Sequence, residues 1–176
     1  MLEQEKIVLP AKTNGSVERR EPSWVFPVIA TSSGYFICLL VLAMFFDPSV
    51  RILHPFQALI YVAIIYLAQR RSAYGFGAGC IIAAFWDYIF LVGARKDVWS
   101  FLTGRTGGIF IPLQLSGVVA HFLLFAACIV GFQCLSFHRR WAAFVTGGAT
   151  AVGVLIALIY MLRPQSVAIL KACFGL

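Results

Sequence analysis

Residues 72–93 read "SAYGFGAGCIIAAFWDYIFLVG": an apolar run with a single acid, Asp87, near its far end. Gly75, Gly79 and Ala83 precede that acid at intervals of four and share its helix face. At about 1.5 Å per residue the run is long enough to cross a hydrocarbon core of roughly 30 Å. A carboxylate at such a depth costs about 2.5–3.5 kcal/mol on insertion scales, so Asp87 must be protonated, paired, or facing protein or water rather than lipid. The small residues beside it point to protein, because glycine at this spacing lets a second backbone come close. This one segment therefore predicts a membrane helix that packs tightly and ends its packing face in a polar group.

The rest of the chain agrees. Of 176 residues 61% are hydrophobic and 12% charged, with a mean hydropathy of +0.89. Soluble domains carry about 25% charged residues, and water cannot cover this much apolar surface. Five apolar segments lie at about 25–46, 52–68, 74–93, 110–136 and 141–162. They predict an all-α polytopic membrane protein, a bundle of five transmembrane helices spanning residues 25–162. The 52–68 run is the shortest, and Gln69 with a snorkelling Arg70 can complete its crossing. Asp47-Pro48 ends the first segment, Arg70-Arg71 separates the second from the third, and His138-Arg139-Arg140 separates the fourth from the fifth. Residues 1–24 form a polar arm of balanced charge. Residues 163–176 predict a short amphipathic helix at the interface. The 94–109 connection carries Trp99 and Phe101 and is expected to lie at the interface as well.

The net charge of +7 arises after the arm, where basic residues gather at the ends of apolar runs. That distribution suits lipid headgroups and topology rather than nucleic acid. With the N-terminus cytoplasmic, eight basic residues fall inside and six outside, which favours that orientation. The expected setting is the cell membrane, multi-pass, with other membrane subunits and lipids as partners.

His121 is the expected partner of Asp87. It sits mid-way along the fourth segment, where Gln114, Gly117 and His121 make a polar stripe at i, i+3 and i+7. Segments three and four run antiparallel, and their depths put Asp87 and His121 within a few Å of one another. Asp87, His121 and Gln114 are therefore the candidate intramembrane polar site. Its role is either an ion, proton or substrate site or a structural tie between helices. Further small stripes, Ala149, Gly153 and Ala157 in the fifth segment and Ala30, Gly34 and Cys38 in the first, predict close packing within the chain or against other subunits. In "TGRTGG", residues 103–108, Arg105, Gly107 and Gly108 offer a headgroup contact, but the loop lacks a P-loop lysine.

Catalytic patterns are missing. There is no zinc-hydrolase motif, no Ser-His-Asp set and no second intramembrane acid for aspartyl chemistry. The three histidines lie at different depths, which disfavours a bis-His haem, and no cofactor or metal is expected. The five cysteines form no C-x-x-C pair. Residues 54–93, with Arg70, Arg71, Gly75, Gly77, Gly79, Asp87 and Gly93, resemble the second and third spans of MreD-type bacterial rod-shape proteins. The resemblance covers under a quarter of the chain and implies a non-enzymatic membrane partner in a cell-envelope assembly. Two functions follow. One is a non-catalytic subunit or scaffold of a membrane complex. The other is a small transporter or binding component centred on Asp87, His121 and Gln114.

Overall fold

A computed structural model describes residues 22–93, 95–105, 110–135, 140–164 and 167–175. The described residues are helical apart from turns. The helices are α1 (Val25–Phe46), α2 (Leu53–Gln69), α3 (Ala73–Gly93), α4 (Arg95–Leu102), α5 (Phe110–Gln133), α6 (Arg140–Leu162) and α7 (Val167–Phe174). Four of them, α1, α3, α5 and α6, are long and apolar enough to cross a membrane. This is a multi-pass membrane protein. Helices are the outcome that lipid demands, since every backbone N–H and C=O must be paired without water. The 17-residue α2 is apolar but shorter. The polar arm, except for its last three residues, lies outside the described residues, as do Gly107, Gly108 and His138.

The turns follow from local chemistry. Asp47 is extended, with φ −126° and ψ 100°, as the following Pro48 requires, and its N–H still donates to Ala43 O at 2.9 Å. Between α2 and α3, Arg71 takes a left-handed φ of 50°. The Arg71 N–H donates to Ala68 O at 2.8 Å and the Ser72 N–H to Leu67 O at 2.9 Å. This is a Schellman cap, with an arginine where glycine is usual, and it reverses the chain within three residues. The 94–109 connection, expected only to lie at the interface, contains α4, while α7 falls in the segment where a short C-terminal helix is expected. Helix α4 buries none of its residues. Helix α7 buries Leu170 and Cys173 and docks on α3, where the Tyr88 hydroxyl donates to Cys173 O at 2.7 Å.

Helices α1, α2, α3 and α5 close a ring in which each touches two neighbours, and α6 lies on the outer side of α3. Glycine sets these distances. A Cβ on Gly75 would lie 2.8 Å from Leu67 C and 2.9 Å from Ala68 N, so α2 and α3 meet backbone to backbone. A Cβ on Gly79 would lie 2.6 Å from Cys128 Sγ and 3.1 Å from Ile64 Cγ2, and Ala83 is fully buried. On its other side α3 meets α6, with Gly77 against the Phe144 backbone and Gly147 against that of Tyr74. Gly117 of α5 sits under Leu39 and Phe36 of α1.

The α6 stripe expected from Ala149, Gly153 and Ala157 does not pack within the chain. All three are exposed, and nothing lies within 4 Å of a Cβ built on Gly153. The face that packs is Ala143, Gly147 and Ala151, which has the same spacing and is buried. Gly34 of α1 is likewise open. Small residues at intervals of four occur on two faces of α6, and only the one opposite α3 meets a backbone.

Candidate functional site

Asp87, on the α3 stripe, reaches α5 inside the ring. Its Oδ1 lies 2.9 Å from His121 Nδ1. The other ring nitrogen, Nε2, lies 2.8 Å from the Tyr61 hydroxyl of α2. Phe36 of α1 covers this group, with its ring 4.0 Å from that of His121 and 4.9 Å from that of Tyr61. Each helix of the ring thus contributes one side chain to a single cluster. His121 and Tyr61 are buried, at 2% and 1% exposed, and Asp87 is slightly more open at 7%. Tyr61 is the middle residue of α2 and His121 is near the middle of α5, so the cluster lies about half-way along both helices.

Counting donors assigns the protons. A carboxylate only accepts, so His121 Nδ1–H donates to Asp87. Nε2 of a neutral imidazole then accepts from the Tyr61 O–H, and the chain Tyr61→His121→Asp87 has every proton placed. The reverse assignment, with a protonated acid donating to Nδ1, makes Tyr61 an acceptor and leaves its own proton with no acceptor among the described residues. The first arrangement places every proton, whereas an imidazolium donating from both nitrogens would form an ion pair with the carboxylate. Asp87 is the only Asp, Glu, Lys or Arg within α1, α2, α3 and α5. No Lys or Arg pairs with it among the described residues. Its second oxygen, Oδ2, has no donor among the described residues, yet it is not sealed off.

What Oδ2 can face is a cavity of about 430 Å³. Its walls come from α1 between Phe36 and Phe46, α3 between Trp86 and Gly93, and α5 between Leu113 and His121. The cavity therefore occupies the half of the bundle beneath the α1–α2 connection, with Asp87 and His121 as its floor. Gln114 and His54 line it nearer the surface. The three residues of the predicted polar site thus border one space, but Gln114 makes no hydrogen bond to the other two and is exposed. His54 Nδ1 lies 2.7 Å from Gln57 Oε1, while Gln57 Nε2 is buried without a partner. Ser33 Oγ on α1 is a second buried polar atom without one. At the mouth, Arg163 lies 3.7 Å from Asp47, joining the end of α6 to the α1–α2 connection.

Tyr61 was not among the residues expected here. A signal for it existed: His54, Gln57 and Tyr61 fall at i, i+3 and i+7, the spacing that marked Gln114, Gly117 and His121. Arg105 is exposed on the turn after α4, outside this cavity. Among the described residues, no three His, Cys, Asp or Glu side chains group as metal ligands do. Comparison with protein-family models, with curated proteins and with solved structures finds no match.

Proposed function

We propose that the chain is an intramembrane binding component, a small transporter or substrate-binding membrane protein, whose site is the cavity floored by Asp87 and His121. The observation that carries this is that Asp87, His121 and Gln114, on two helices, line one space among apolar walls. Small-molecule sites are typically apolar cavities of about 300–1,000 Å³ with a few convergent polar groups, and this cavity fits that description. In this reading α2 crosses the membrane as a fifth span, α7 rests at the interface, and the N-terminus is cytoplasmic. Native mass spectrometry of the detergent-purified chain tests the reading. A retained small molecule is expected on the wild type and lost from Ala43→Phe and Leu39→Trp, two separate ways to fill the cavity. Identical spectra for all three proteins would overturn it.

A second reading is a non-catalytic subunit or scaffold of a larger membrane complex. It is supported by the exposed small-residue face of α6, where Gly153 has open space in front of it. The resemblance of residues 54–93 to MreD-type proteins belongs with this reading and suggests a cell-envelope assembly. Purification under native conditions tests it: partner chains should co-purify, and a stable solitary monomer would count against it.

A further inference from the structure

Resting on the cavity reading, we infer that the ligand is a lipophilic organic cation with one positive charge, held by the Asp87 carboxylate. Asp87 is the one acidic side chain that lines the cavity, and its Oδ1 is hydrogen-bonded to His121 Nδ1. Among the described residues no Lys or Arg pairs with Asp87. A carboxylate that borders an apolar cavity and has a single hydrogen-bond partner keeps acceptor capacity for a cationic ligand. Oδ2 is the acceptor left over, at the floor of the cavity.

The walls select the rest of the ligand. Phe36, Phe46, Trp86 and Phe90 line the cavity, and aromatic faces attract a desolvated cation through their quadrupoles. Beyond Asp87 and His121 the polar lining is His54 and Gln114, both towards the mouth. A strongly hydrated metal ion would find too few oxygen ligands to replace its water. A doubly charged species would find one carboxylate. An apolar body bearing a single ammonium or phosphonium centre matches both the charge and the walls.

Equilibrium dialysis with the purified full chain in detergent tests this, using labelled tetraphenylphosphonium and, as the neutral probe, triphenylmethane. The cation should bind about tenfold or more tightly than the neutral probe, the scale expected for a desolvated ion between an acid and aromatic faces. Asp87→Asn should remove that preference and leave triphenylmethane unchanged within about twofold, since only the charge is lost. Ala43→Phe should weaken both probes. If both probes bind alike and only Ala43→Phe matters, the cation inference falls and the cavity reading stands. If neither binds, or if Ala43→Phe changes nothing, both fall. Should Asp87→Asn not fold, the two probes on the wild-type chain still decide, because an equal affinity there overturns the inference.

Discussion

The two halves of α3 are built on opposite plans. From Ala73 to Ala83 nearly every residue is buried, and glycines bring α2 and α6 to backbone contact on two sides. From Ala84 to Gly93 only Asp87 is buried, and the helix borders a cavity instead of a neighbour. In lipid no hydrophobic force drives helices together, so close packing and hydrogen bonds must do so. The first half uses packing alone. The second half gives up packing on one side, reaches α5 and α2 through the Asp87–His121–Tyr61 hydrogen-bond chain, and carries α7 on Phe85 and Tyr88. The space so left is where a ligand can be accommodated.

The largest test of this contrast is Gly77→Leu. Its Cβ would fall on the backbone of Phe144, which cannot move aside as a flexible side chain can. The expected cost exceeds about 4 kcal/mol, enough to prevent recovery of folded protein. Thermal unfolding of the detergent-solubilised chain, or its absence from the monodisperse fraction, is the measurement. A folded Gly77→Leu protein would mean that the α3–α6 seam is looser than this geometry.

Next is the polar half. His121→Leu removes the donor to a buried carboxylate, and breaking such a pair by one partner costs about 3–5 kcal/mol. The double variant Asp87→Leu/His121→Leu removes the uncompensated charge as well and should recover most of that loss, although it destroys the site. If the double variant is as unstable as the single one, the cost lies in packing against Phe36 and not in the charge. Smaller again is Tyr61→Phe. It deletes one hydroxyl and leaves His121 Nε2 without its donor, for a cost of about 1–3 kcal/mol in the same unfolding assay. A neutral effect would show that Tyr61 is a neighbour of His121 and no part of the chain that fixes its protons.

How much of this was legible depends on what membrane physics constrains. The long helices were readable because insertion requires long apolar runs, and Asp47-Pro48 and Arg70-Arg71 interrupt them. The meeting of Asp87 with His121 was readable for a related reason: a buried acid needs a donor, and only one histidine lies at its depth. Tyr61 escaped because tyrosine is at home both in apolar runs and at interfaces, so its type carried no sign of strain. The cavity escaped because a void is a property of three helices at once. It depends on where α1, α3 and α5 diverge, and no spacing within one segment records that. Which face of α6 packs within the chain was not legible for a different reason. Ala143-Gly147-Ala151 and Ala149-Gly153-Ala157 have identical periodicity, and the choice between them belongs to the partner backbone.

That last pair supplies the smallest expected effect and the sharpest use of the comparison. Gly153 and Gly77 are both helical glycines, one in α6 and one in the helix that α6 packs against. Gly77 has a backbone in front of it, whereas Gly153 has nothing within 4 Å. Gly153→Leu should therefore change the unfolding of the isolated chain by no more than about 0.5 kcal/mol, as for a surface substitution. Its effect should show instead in association. A leucine on a face where another chain's backbone approaches holds the helices apart, so cross-linking in native membranes should lose the partner band while the solubilised chain keeps its stability. A loss of stability comparable to that of Gly77→Leu would mean that this face packs within the chain after all. An unchanged cross-linking pattern would leave α6 facing lipid, and the weight of function would then rest on the cavity half of α3 alone.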